Sequence, residues 1–298
     1  MKRHSNFRLT LFLCFVLFLS FFSLRASAAY SALMLEWNRP MEPFRIVDDV
    51  YYVGAENISS FLIKTSDGLI LIDSGLPETA PQILANIERL GFKPEDLKFL
   101  IVSHGHYDHS GGLNALAKAS KAQILAGEDD AAIIERGGLD DPQFGDKYGY
   151  PPVKVTRRLN DGDEIGLGGV VLNVFSTPGH TKGALTFTMQ AKDNGKPCKV
   201  VFAGSVSCPD YKLVENSKYP DIVTDYEHTF KKMKEFPCDV FLAQHGSKFD
   251  LAKKSAKARQ NPPTSPFVDA EGYKRYLAEA EKQFRELLAE QSKGNSKP

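Results

Sequence analysis

The 298 residues carry 37 basic and 37 acidic side chains, with a hydrophobic fraction of 42% and a charged fraction of 25%. Those proportions are ordinary for a soluble globular protein and exclude a disordered chain. The length allows one large domain or two small ones, and the absence of a basic stripe argues against nucleic acid as a partner.

The chain opens on Lys2, Arg3 and Arg8, followed by an almost wholly apolar stretch over residues 9–24 and the small-residue pattern Ala26-Ser27-Ala28. This is the form of a secretory signal peptide, so residues 1–28 are expected to be removed. The expected product is exported, periplasmic or secreted, with no stable membrane association. The apolar run is short for a membrane span. Removal takes away four basic residues and no acidic one, which leaves the mature chain, residues 29–298, near −4. Export implies an oxidising compartment. Cys198, Cys208 and Cys238 remain, and an odd number leaves at least one thiol unpaired. Cys198 and Cys208 are poorly placed to pair, because extended strand separates them at ~3.3 Å per residue.

Trp37 to Pro43 reads as an irregular arm. Residues 44–53 and 59–64 read as strands of a meander. Leu69-Ile70-Leu71-Ile72-Asp73-Ser74-Gly75 reads as a buried strand ending in a polar turn. Ile83, Leu84, Ile87 and Leu90 then share one helical face, and Gly91 stops it. Residues 97–103 form the next strand, followed by a short strand at 122–126 and a helix at 129–136. Residues 137–152, rich in Gly, Asp, Pro and Tyr, read as a long loop and a substrate-side flap. Strands at 170–175, 185–189 and 199–203 follow, the last two separated by the Asp193-Asn194-Gly195 turn. A helix at 219–236, a strand at 239–243 and a C-terminal helix at 269–291 complete the chain. The last helix has Tyr273, Tyr276, Leu277, Ala280, Phe284, Leu287 and Leu288 as its buried face. No low-complexity linker divides the chain, so one domain is expected, with two packed sheets and helices outside.

The chemistry concentrates in Ser103-His104-Gly105-His106-Tyr107-Asp108-His109-Ser110-Gly111-Gly112. Four metal-ligand side chains within six residues leave the end of a buried strand. A rigid scaffold can aim side chains there at one point. Imidazole and carboxylate together suit zinc, and three protein ligands with an open position make a catalytic arrangement. Two further histidines, His180 after Thr177-Pro178-Gly179 and His245 after Gln244, also follow apolar strands. His228, in the middle of a helix, reads as a surface residue.

This pattern resembles the metallo-β-lactamase superfamily over essentially the whole mature chain. The resemblance implies an α/β fold, the αββα four-layer sandwich, with a two-metal site at the sheet edges. It implies that His104, His106 and His180 bind a first zinc, and that Asp108, His109 and His245 bind a second. Asp73 would stand behind the ligands and orient their loop. Phe202-Ala203-Gly204-Ser205 sets the branch. Lactonase-type, glyoxalase-type and RNA-processing members carry a bridging Asp after this Gly, whereas third-subclass class B β-lactamases carry Ser. The run from Ser207 to Tyr226 and Pro237-Cys238-Asp239-Val240-Phe241-Leu242 are also similar to that subclass. Ser205 and Ser207 would hold the substrate carboxylate. Two departures stand out: Asp210 replaces a usual Gly, and no Cys follows Cys238 to bridge it to the last helix.

The resemblance implies a monomeric β-lactamase with two Zn²⁺ per chain that opens the β-lactam amide of penicillins, cephalosporins and carbapenems and so confers antibiotic resistance. The nucleophile would be a metal-bound hydroxide, with Asp108 as a metal ligand that also orients it. The alternative is another hydrolase of this fold, acting on a lactone, thioester or phosphoester. Di-iron members carry Glu where this chain has His106, which disfavours a redox role.

Overall fold

The computed structural model describes residues 32–294 apart from 261. The expected signal peptide at 1–28 lies outside the described residues. Seven strands form one sheet in the order β1 (Phe44–Val47), β2 (Val50–Tyr52), β3 (Phe61–Thr65), β4 (Gly68–Ile72), β5 (Leu97–Ile101), β6 (Gln123–Gly127) and β7 (Arg157–Leu159). Five form a second sheet in the order β12 (Val240–Ala243), β11 (Lys196–Ala203), β10 (Leu185–Asp193), β9 (Val170–Ser176) and β8 (Glu164–Leu167).

The side-chain alternation of the central strands explains the layering. In β4, Ile70 and Ile72 face one core cluster while Leu69 and Leu71 face another. In β3, Phe61 and Ile63 face the first and Leu62 the second. A strand apolar on both faces needs cover on both. On one face the second sheet supplies it, with Phe187 and Phe202 fully or nearly buried and Phe202 against Phe61. On the other lie helices α2 (Ala80–Arg89), α4 (Leu113–Ser120) and α5 (Glu128–Glu135), which contribute Ile83, Ile87, Leu116 and Ile134. Two more helices, α6 (Ile222–Met233) and α8 (Ala270–Gly294), join the first cluster through Tyr226, Phe230, Tyr273, Leu277 and Phe284. Each such buried side chain contributes about 1.5–3 kcal/mol of transfer free energy.

Most expected elements stand. Gly91, at φ 84°, ends α2 in the left-handed conformation that a Cβ disfavours. The 185–203 segment is one hairpin, longer than expected, with the Asp193↔Lys196 pair next to its turn. The sequence reading did not anticipate β7, β8, the helix α1 (Ala32–Trp37) before the irregular arm, the single turn α3 (Tyr107–Ser110) inside the ligand segment, or α7 (Leu251–Ala258).

Strand direction places the site. β4, β5 and β6 run parallel, as do β11 and β12, and β9 shares the direction of β11 because both are antiparallel to β10. The carboxyl ends of β4, β5, β9, β11 and β12 are followed directly by Asp73, the 103–109 segment, the turn bearing His180, Ser205 and His245. Crevices outside strand carboxyl ends are where open α/β sheets bind ligands.

Candidate metal centre

The 103–109 segment is fixed by hydrogen bonds before any ligand is considered. The Ser103 amide and hydroxyl both donate to Asp73, at 2.7 and 2.8 Å. The Ser74 amide and hydroxyl donate to the His109 carbonyl, each at 2.8 Å. The Gly105 amide donates to Asp130 Oδ2 at 2.7 Å, and Tyr150 donates its hydroxyl to the Gly105 carbonyl at 2.6 Å. Asp130 also accepts from the Thr181 hydroxyl at 2.6 Å and the Gly183 amide at 2.9 Å. One carboxylate thus ties the β5 segment to the segment carrying His180. The approach to His180 is made at Gly179, φ 131°, where a Cβ would stand 2.8 Å from the Tyr226 ring. His245 is held by an antiparallel bridge between its own backbone and Ile58.

The six expected ligands converge. Ligating atoms of His104, His106 and His180 lie within 4.8 Å of one another, and so do those of His104, Asp108 and His109. His245 joins through Asp108, its Nε2 being 3.5 Å from Oδ2. His104, His106, Asp108 and His109 are all buried, His109 completely.

Two of the rings are held from behind by hydrogen bonds. Ser103 Oγ lies 3.1 Å from His104 Nδ1. His180 Nδ1 lies 2.7 Å from the Ser207 carbonyl, an acceptor, so Nδ1 carries the proton and Nε2 is bare. His180 Nε2 in turn faces His106 Nδ1 at 3.1 Å. Both ring nitrogens of His109 lack an aligned hydrogen bond, though Asp73 and Asp108 oxygens lie 3.2 and 3.4 Å away. His106 Nε2 is likewise buried without a hydrogen-bond partner among the described residues. Buried polar atoms left unpaired are costly, and of these His109 Nε2 faces Asp108 among the converging ligands, while His109 Nδ1 and His106 Nε2 face Asp73 and Asp141. This donor set of imidazoles and one carboxylate fits zinc.

The electrostatics agree. Burial, reinforced by the neighbouring imidazoles, pushes His104 and His180 well below the ordinary histidine range. Burial also lowers His106 and His245 to about 4. All four are neutral near pH 7, the form that binds metal. Burial opposes a charge on His109, but Asp108 and Asp73 overcome it and raise this group to about 10. Burial likewise opposes ionisation of Asp108, and His109 outweighs it, holding the carboxyl far below its usual range. Asp108 and His109 thus favour each other's charged forms, and a metal ion held by both would need His109 neutral.

Beside the ligands opens a cavity of ≈ 520 Å³ whose wall includes Trp37, Phe144, Ser207, Tyr211 and Lys248 as well as Asp108 and His245. Ser207 is on this wall. Ser205 is buried just behind it, with its hydroxyl 3.2 Å from that of Ser207. The 137–152 loop packs onto the ligand segment. Phe144 rests on His106 at 4.9 Å between ring centroids, and Tyr148 rests on Tyr107 at 4.3 Å. Asp130, Asp141, Tyr150 and Tyr211 were missed by sequence reasoning. Asp130 sits among Glu128 and Asp129 in the first turn of α5, where acids are expected for the helix dipole alone.

Residues 53–245 match the family model of the metallo-β-lactamase superfamily. The native FEZ-1 metallo-β-lactamase of Legionella gormanii is 39% identical, with a TM-score of 0.83 and coverage of 86% of this chain and 98% of that one. BJP-1 of Bradyrhizobium japonicum, a subclass B3 metallo-β-lactamase, is 34% identical, with a TM-score of 0.83 and coverage of 88% and 99%. Among curated proteins, an N-acyl homoserine lactonase of Bacillus cereus is 27% identical over 160 residues, which span 45% of this chain and 59% of the lactonase.

Proposed function

Because the chain belongs to the metallo-β-lactamase superfamily, we propose that it is a zinc-dependent β-lactamase of the third subclass that hydrolyses the amide bond of penicillins, cephalosporins and carbapenems. The observation that carries this reading is Ser205 at the end of β11. That position supplies the bridging acid in the lactonase-type branch and does not supply it here. The likeness to FEZ-1 and BJP-1, which extends over almost their whole lengths, supports it.

His104, His106 and His180 would hold one zinc ion, and Asp108, His109 and His245 a second. When bound, zinc supplies Lewis acidity and lowers the pKa of a water to about 7. The chain does the rest. Asp108 lines the cavity, and its carboxylate would orient a water through one oxygen. Ser207 Oγ donates to the substrate carboxylate, and Ser205, 3.2 Å behind, fixes the direction of that hydroxyl. Trp37, Phe144 and Leu287 give the cavity apolar walls, which exclude water from the remainder of the substrate and strengthen the polar contacts.

The same reading includes export after removal of residues 1–28 and action as a monomer in the periplasm. The basic, apolar and small-residue order of the N-terminus supports export. Among the described residues no helix is long and apolar enough to cross a membrane. The lactonase relative favours a second reading, hydrolysis of a lactone, and the thioester belongs to the same alternative. A panel containing a penicillin, a cephalosporin, a carbapenem, an N-acyl homoserine lactone and an acyl thioester separates the two. β-Lactam opening lost with a chelator and restored by zinc is expected; cleavage of the lactone or thioester alone would overturn the β-lactamase reading.

A further inference from the structure

We infer that Asp141 is a positioning residue for the first ligand set, its carboxylate fixing the ring orientation and tautomer of His106. The inference rests on the zinc-site reading above and extends it to a residue in the 137–152 loop.

His106 turns Nδ1 toward the other ligands, 3.1 Å from His180 Nε2. A neutral imidazole that offers a bare Nδ1 must carry its proton on Nε2. That Nε2 is buried, has no hydrogen-bond partner among the described residues, and faces Asp141 Oδ2 at 3.5 Å. A slight rotation of the ring closes this gap to a hydrogen bond. Carboxylates placed behind ligating histidines in this way lock the ring and raise its basicity.

Asp141 is itself built in. Its side chain is 95% buried. Oδ1 accepts from the Gln143 and Phe144 amides at 2.7 and 2.8 Å, which leaves Oδ2 for His106. The Asp141 and Gly145 backbones close the turn with reciprocal hydrogen bonds of 3.2 and 2.9 Å. The same turn delivers Phe144 onto the His106 ring. One acidic residue thus shapes the turn with one oxygen and faces the ligand with the other.

Asp141→Asn separates the two roles. The amide oxygen of Asn can keep both backbone bonds of the turn, while its NH₂, a donor, replaces the oxygen facing His106 Nε2–H. Zinc affinity of purified mature protein, measured by chelator competition, is expected to fall 10–100-fold at the first site in Asp141→Asn. The Tm of the zinc-free protein should stay within a few degrees of wild type. Equal first-site affinity in the two proteins would overturn the inference while leaving the zinc reading intact. A wild type that binds no zinc would overturn both. The ¹⁵N shifts of His106 in the zinc-loaded wild type give a reading that needs no variant: a proton on Nε2 with Nδ1 ligating is expected, and a proton on Nδ1 with Nε2 ligating would contradict the assignment.

Discussion

Asp73 Oδ2 lies 3.2 Å from His109 Nδ1, while the two Asp73 oxygens also accept from the Ser103 amide and hydroxyl. A residue at the end of β4 therefore sets both the path of the ligand segment leaving β5 and the orientation of one of its imidazoles.

Asp73→Asn tests this double role. Asp73 has a left-handed backbone, φ 62°, which Asn also tolerates, so the fold should survive. The loss of a charged acceptor behind His109 should lower second-site zinc affinity about 10–100-fold and leave the first site less affected. Metal analysis after dialysis against graded free zinc measures it. Full retention of both ions at wild-type affinity would show that Asp73 only shapes the loop.

Ser207→Ala and Ser205→Ala should both keep two zinc ions, because neither hydroxyl is needed as a ligand. Ser207 is on the cavity wall and Ser205 is buried behind it, so Ser207→Ala should weaken substrate binding more. The expected loss is roughly 2 kcal/mol for one hydrogen bond to a charged group, read as a raised KM with kcat little changed. Loss of the second zinc in Ser205→Ala with an unaltered KM would reverse the assignment.

Burial raises the Asp130 carboxyl to about 6, against bonds from Thr181, Gly105 and Gly183 that favour its charge; nearby Asp141 adds to the rise. Between the ordinary value of 3.8 and about 6 the folded chain holds a proton that the unfolded chain has released. Stability therefore falls as pH rises through that window, and the cost is fully present above it. The difference in Tm between zinc-free wild type and Asp130→Asn should accordingly change between about pH 4 and pH 6, moving against the wild type as pH rises. A difference independent of pH would mean that Asp130 is not so perturbed.

Cys198, Cys208 and Cys238 are all free thiols. Unfolded mature protein, never reduced, should titrate as three thiols per chain. In the native state reaction with an alkylating reagent should be slow, since burial raises Cys198 and Cys208 to about 11 and Cys238 to about 12. A disulfide in a non-reducing mass map would contradict the structure here.

The candidate ligand cluster was legible because four of its six members are packed into His104–His109 and the others each follow an apolar strand. The two-sheet layering was legible from apolar runs too continuous for one-sided strands. Asp141 was not legible: it lies in a turn-forming loop where Asp is common, and its link to His106 spans 35 positions that only the fold brings together. Strands β7 and β8 escaped notice because they are three and four residues long and mostly not buried. Lys-rich α7 buries a narrow face, chiefly Leu251 and Ser255, and so showed little apolar period. Asp210, noted from sequence as standing where Gly is usual, keeps the backbone that Gly would take, with φ 54°.

The most direct test of the β-lactamase reading is hydrolysis of a carbapenem by purified mature protein, followed by absorbance, before and after chelation and again after zinc is returned. Ring opening that stops with the chelator and recovers with about two zinc ions per chain is the expected result. A zinc-loaded protein that leaves the carbapenem, a penicillin and a cephalosporin intact, yet cleaves an N-acyl homoserine lactone or an acyl thioester, would contradict it.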